Sequence, residues 1–258
     1  MFILPRDQIP QTSKELAQAI EEGVRTFASR PQHMVTVRAG DASTLDSIAV
    51  DLSGATIDHH HRPPPLDREG ASPALLVRHI DIAGEPIKLL GSDFSFQFEA
   101  SNAEMYQKPQ VDGKLLLILH RAQDGNVRFE ISRAASKLAE KQGIGVDNAQ
   151  LELTQHGPRA VDGKLTVSAH KLIFHPVLSL AGTLSVSEDF VATVSNLKCH
   201  GEGPSASLAC AAINPAFSRI EQRAFPLSAL PLGEIQLRDL ALDVGHEKLI
   251  VQARFGSL

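Results

Sequence analysis

The chain begins with an apolar stripe at helical spacing and then changes period for most of its length. Leu16, Ile20, Val24 and Phe27 recur on one face of Thr12–Ser29, and Thr12 with Glu15 forms a capping-box pattern at its start. An amphipathic helix is predicted there, ended by Pro31. From Met34 the period falls to two: Val35 and Val37, then Ile48, Val50 and Leu52, with polar residues in alternate places. Half-buried strands read this way, so an antiparallel sheet is expected. Strands are also predicted over Leu75–Ile82, Ile87–Leu90 and Asp93–Glu99, the last placing Phe94, Phe96 and Phe98 on one face. Between them DHHHRPPPLDREGAS, Asp58–Ser72, reads as an exposed loop, because its prolines suit neither a helix nor a ladder.

The second half repeats the alternation in longer stretches. Leu178, Leu180, Leu184 and Val186 alternate, a Ser187-Glu188-Asp189 turn follows, and Phe190, Ala192 and Val194 continue as in a meander. VDGKLLLILH at Val111–His120 returns fifty residues later as VDGKLTVSAH at Val161–His170, each copy reading as an Asp-Gly turn feeding a strand. A true repeat and two unrelated hairpins both fit this echo. Helices are predicted from Ser132 to Gln142 and from about Ser205, the latter broken or kinked where Asn214 and Pro215 restart it towards Arg223. In the C-terminal run Ile235 and Leu237 alternate, the phase slips at Arg238-Asp239, and Leu240, Leu242 and Val244 resume, as a bulge would produce. Leu249, Val251, Ala253 and Phe255 form the expected returning strand after a turn at Gly245.

Composition narrows this to a strand-dominated α+β chain. With 258 residues, 43% of them hydrophobic, residues 1–258 suffice for a single domain, or for two unequal half-modules meeting near 105–130. A net charge of −5 supplies no basic field for nucleic acid. No stretch reaches the roughly 20 apolar residues of a membrane span. The start, MFILPRDQIPQ, does not read as a secretory leader, so a complete chain is expected in the cytoplasm, and a chain whose leader was removed in the cell envelope. Cys199 and Cys210, with ten residues between them, fit no zinc or thioredoxin spacing and read either as a disulfide or as two buried thiols.

Each apparent reactive cluster meets a physical objection. Asp58-His59-His60-His61, with Asp67 nearby, offers metal-ligand chemistry, but adjacent ligands rarely converge on one ion. Gly201-Glu202-Gly203-Pro204-Ser205-Ala206 imitates a dinucleotide fingerprint, yet Pro204 removes an amide and Glu202 puts negative charge where phosphate would sit. Cys199 and His200 are strand neighbours and point to opposite faces. Asp81, Asp112, Asp162 and Asp239 fall at strand edges or turns without a paired acid and base. No catalytic residue, metal or cofactor is assigned. One-sided apolar strands outnumber the helices that cover them, and either a packed core or a curved sheet leaving an apolar groove beside a helix satisfies that pattern.

The order of elements carries a resemblance. The first helix, SIAVDLSGATI, VDNAQLEL and VDGKLTVSAHKLIF, and the closing FPLSALPLGEIQLRDLALDV with LIVQARF resemble the bacterial LmeA-like family of lipid-binding proteins, similar in fold to tubular lipid-binding (TULIP) domains. The resemblance implies a strongly curved antiparallel sheet wrapped around one or more amphipathic helices. It also implies an apolar ligand between them, peripheral contact with a membrane, and no catalysis. The lining would be Leu16, Ile20, Val24 and Phe27 with Phe94, Phe96, Phe98, Leu117, Leu119, Val167, Leu184 and Val186. The competing readings are an interaction protein that docks a partner chain, and a metal-dependent hydrolase using His59, His60 and His61.

Overall fold

The structure, a computed structural model, describes residues 1–30, 32–41, 44–58, 60–61, 68–89, 92–110, 112–132, 146–169, 177–221, 223–227, 234–245 and 248–257. Among them are sixteen strands and two helices, an α+β chain dominated by strands. It divides into two compact units: Met1–Phe129 with Ala229–Asp239 and Gln252–Leu258, and Glu130–Ser228 with Leu240–Val251.

In the first unit α1 spans Ser13–Val24 and is capped as its sequence predicts: the Thr12 hydroxyl accepts the Glu15 amide at 3.2 Å. Its stripe of Leu16, Ala19, Ile20, Gly23 and Val24 is buried. Gly23 is required by contact, since a Cβ there would collide with the carbonyl of Ile3 in β1 (Phe2–Leu4). The helix stops earlier than the expected Ser29. The Thr26 hydroxyl donates to the Gly23 carbonyl at 2.7 Å, and β2 (Ala28–Ser29) leaves the helix to pair with β5 (Thr56–Ile57). Glu21, near the helix end, accepts Arg25 at 2.7 Å, faces His33 at 3.3 Å and accepts the Met34 amide at 3.4 Å, tying α1 to the chain entering β3 (Val35–Ala39). Burial alone would raise its carboxyl, but these hydrogen bonds outweigh burial and hold it below the ordinary 4.5.

The sheet of this unit is mixed. β3 pairs antiparallel with β4 (Thr44–Asp51), but β4 runs parallel to β6 (Ser72–Leu89), with Ile48 opposite Ile80. The expectation of a purely antiparallel sheet is corrected here. Alternation reports which face is buried, not the direction of the neighbouring strand. The segments Leu75–Ile82 and Ile87–Leu89 are one strand, β6, with a register shift between Gly84 and Ile87 that accommodates Pro86. β6 pairs over most of its length with β7 (Ser92–Pro109). β8 (Leu115–Arg121) lies between β1 and β7. With β9 (Asp124–Ser132), β15 (Ile235–Val244) and β16 (Lys248–Ser257), the order across the sheet is β15-β16-β9-β7-β6-β4-β3. Leu4, Ile20, Ile48 and Leu117 retain no accessible surface at its centre.

The second unit is a five-stranded antiparallel sheet, β10 (Val146–Gln155), β11 (Ala160–Ala169), β12 (Val177–Val186), β13 (Val191–Glu202) and β14 (Ala224–Pro226), in that order. The predicted meander is present, turning at Ser187–Phe190. α2 (Pro204–Glu221) packs on β13 and is joined to it by a disulfide between Cys199 and Cys210. Of the break or kink expected at Pro215, the break is absent, since the helix runs on through it. Pro215 and Asn214 are exposed, and a lost bond costing about 3 kcal/mol is offset where Ala206 and Cys210 are buried against the sheet. The helix predicted from Ser132 to Gln142 falls on positions 133–145, outside the described residues, while Ser132 itself ends β9.

The fifty-residue echo is not a structural repeat at its Asp-Gly core. Asp112-Gly113 is a turn with Gly113 at φ +75°, whereas Asp162 and Gly163 lie inside β11, which is entered through Gly157 at φ +120°. The environments differ: Asp112 binds Lys114 beside it, while Asp162 is held on the sheet by Thr183 and His156. The phase slip of β15 does appear in burial, where Ile235 is buried, Arg238 and Asp239 are exposed, and Leu240 and Leu242 are buried. It falls where the strand passes from the first unit to the second. β16 buries Ile250 and Phe255 rather than the expected Leu249, Val251 and Ala253, so it changes phase as well.

Gly23→Ala should lower stability by about 1–3 kcal/mol despite the better helix propensity of alanine, because β1 must retreat from α1; chemical denaturation checks this. Glu21 has a depressed folded pKa, so its contribution is present above the ordinary 4.5 and is lost as pH falls through the folded value. Glu21→Gln should therefore cost about 1–2 kcal/mol at neutral pH and little at pH 2–3, read as converging denaturation midpoints. Cys199→Ser/Cys210→Ser should lose about 2–3 kcal/mol, the closure term of a short loop, and the parent should lose the same under reductant.

Candidate functional site

The clusters read as candidate chemistry are occupied by structural roles. Asp58 Oδ1 accepts the His60 amide at 2.9 Å and its carbonyl accepts the His61 amide at 3.2 Å, which makes a local turn. The His61 ring lies against Phe27, with centroids 5.7 Å apart. His59 and Asp67 lie outside the described residues, among which no group of three or more His, Cys, Asp or Glu is arranged to hold a metal. The glycines of Gly201-Glu202-Gly203 serve the reversal from β13 into α2. Gly203 takes φ +91°, and a Cβ on Gly201 would collide with Ala206. Cys199 is bonded to Cys210 and is no free thiol. The Thr183 hydroxyl donates to Asp162 at 2.6 Å and His156 Nε2 lies 2.7 Å away; these bonds lower its carboxyl. Asp81, directly across from Glu99, is raised by burial and by that neighbouring carboxylate.

The twelve residues expected to line an apolar groove fall in both units. Leu16, Ile20, Val24 and Leu117 belong to the closely packed core of the first, with Phe27, Phe94, Phe96, Phe98 and Leu119 half-buried against it. Phe94 meets Phe129 with centroids 5.1 Å apart and Phe98 meets Phe255 at 5.5 Å, so the aromatic ladder is largely satisfied by its own unit. Val167, Leu184 and Val186 lie in the second unit, where Val186 is buried and Leu184 is 36% exposed.

That second unit has a two-faced sheet, and pairing register shows it. Leu151, Leu165, Leu180 and Cys199 form one row across β10, β11, β12 and β13. Leu178 opposite Val167 continues the same face, as do Leu184 and Val161. The reverse face carries Thr166 beside Ser179, Ser185 bonded to Thr193 at 2.9 Å, and Thr183 on Asp162. The disulfide fixes the side on which α2 lies, since Cys199 belongs to the apolar row. α2 therefore covers the β13 side of that row, presenting Ala206, Cys210, Ile213 and Phe217 at helical spacing.

Cover is uneven along the strands. At the Val161 and Val186 end both residues are buried; there the Leu242 amide donates to Pro158, and Arg159 Nε to the Leu240 carbonyl. Towards β10 and β11, Leu151, Leu153, Leu165, Val167, Leu178 and Leu180 all remain half-exposed, and so do Ile213 and Phe217 on α2. From the sequence Leu180 is read only as an alternating strand residue, and Leu151, Leu165, Ile213 and Phe217 are not singled out. Their alternation was visible, but the cross-strand row and the disulfide that orients α2 exist only in the fold. Compared with known protein families, curated proteins and solved structures, the chain matches none.

Proposed function

We propose that this protein binds a long apolar ligand of acyl-chain type against the apolar face of the second unit, beside α2, and catalyses no reaction there. The observation that carries the reading is the half-exposed row of Leu151, Leu165 and Leu180 facing the side on which α2 lies. A helix about 10 Å wide cannot cover four strands spaced roughly 4.8 Å apart, and the strip left beside it by the described residues suits one extended alkyl chain. Burying that strip would contribute about 25 cal/mol per Å² of apolar area, less the cost of immobilising the ligand. In this proposal the sheet curves around α2 in the TULIP manner, and the groove lies here rather than beside α1, whose inner face is already packed. The disulfide supports the cell-envelope alternative for location, because such bonds persist in oxidising compartments. Peripheral membrane contact is the accompanying proposal for ligand delivery.

A second reading, docking of a partner chain, is favoured by Leu208 and Phe225, which are 73% and 44% exposed. One variant set separates the two. Oxidised protein should co-purify with acyl lipid on extraction and mass spectrometry, and should bind a fluorescent fatty acid. Leu165→Glu and Leu180→Glu should weaken that probe roughly tenfold or more, while Leu208→Glu leaves it unchanged. Absence of bound lipid together with absence of probe binding would overturn the proposal, as would sensitivity to Leu208→Glu alone.

A further inference from the structure

The sheet of the first unit is irregular where β7 passes from β8 to β9. Asn102 takes φ +46°, the β7–β8 register shifts between Glu104 and Met105, and Ala122–Gln123 separate β8 from β9. The end of β16 is tied to this break, with the Ser257 amide donating to the Ala122 carbonyl at 2.7 Å. A cleft of about 630 Å³ opens there, walled by Glu104, Arg121, Asp124, Arg238 and Arg254. Ala122 is the single apolar residue among those that line it.

The charges in this wall are unevenly satisfied. Arg121 Nε binds Glu234 at 2.9 Å, and Arg238 donates to the Ser257 carbonyl at 2.7 Å while lying 3.7 Å from Asp124. The side chains of Glu104 and Arg254 make no hydrogen bond or ion pair among the described residues. One concave surface thus presents an uncommitted carboxylate and an uncommitted guanidinium. A simple anion entering it would meet Glu104 and Asp124, and a simple cation would meet the arginines. A molecule carrying both charges avoids either repulsion. Its anionic end suits the planar fork of Arg254, with Arg238 near it, and its ammonium suits Glu104. With Ala122 its single apolar residue, and that one fully buried, the wall presents no apolar side chain to a hydrocarbon tail, so the molecule is small and water-soluble.

We propose that this cleft is a binding site for a small zwitterion, an ammonium group carried close to a carboxylate or a phosphate. The proposal is independent of the apolar ligand of the second unit. Isothermal titration of the intact oxidised protein tests it, with glycine and O-phosphoethanolamine as zwitterionic probes and inorganic phosphate and ethanolamine as single-charge controls. At least one zwitterion should saturate and bind roughly tenfold or more tightly than either control. Arg254→Met and Glu104→Gln should each weaken it about tenfold with an unchanged melting transition, and Arg254→Lys should recover part of the loss. The proposal is overturned if neither zwitterion saturates, if phosphate matches O-phosphoethanolamine, or if both neutral variants bind as the parent does.

Discussion

A sheet that is apolar on one face must have that face covered, and the structure depends on how, among the described residues, two helices meet this demand for sixteen strands. α1 meets it by close approach. Gly23 lets β1 lie against the helix, and the inner stripe of α1 disappears into a core with Leu4, Ile48 and Leu117. α2 meets it by a covalent tie instead. Cys210 is held on Cys199 at the β13 side, and the rows towards β10 and β11 keep accessible apolar surface. Similar pattern elements therefore give a fully buried stripe on α1 in one unit and a row of partly exposed leucines on the side of α2 in the other.

Polar residues act mainly as fasteners for this arrangement. Glu21 gathers Arg25, His33 and the Met34 amide where α1 gives way to the sheet. Asp162 gathers Thr183 and His156 on the polar side of β11. Gln155 takes the Val244 amide and donates to the Leu242 carbonyl, fixing the end of the β10–β11 hairpin. The clustered carboxylates, histidines and glycines that resemble reactive motifs in the sequence are explained by these local duties where they are described. The Arg254 and Glu104 cleft stands apart because, among the described residues, these two of its charges have no such duty.

Much of the fold is legible in the residues, through effects that act over short distances. The Thr12 cap, the stripe of Leu16, Ile20 and Val24, and the alternation of Leu178, Leu180, Leu184 and Val186 each depend on neighbours within a turn or a strand. The slip at Arg238-Asp239 is of the same kind and is visible in burial. What failed had a competing long-range cause. Ala28 and Ser29 follow a helical stripe but pair with β5, and α2 continues through Pro215 because the sheet and the disulfide hold it. The VDGKL sequence is a turn once and a strand once, since its second copy is paired on both sides along its length.

The sequence by itself determined which residues are apolar on one side, where α1 begins, and that strands dominate, because propensity, capping and burial period are local properties of the chain. Tertiary structure alone decided that β4 runs parallel to β6 and that Leu151, Leu165, Leu180 and Cys199 form one row. It also decided that the twelve expected lining residues divide between two units, and that Glu104 and Arg254 share a cleft. Strand direction, register and convergence are set by which distant segments meet, and the alternation of apolar and polar residues is the same for every partner a strand could have.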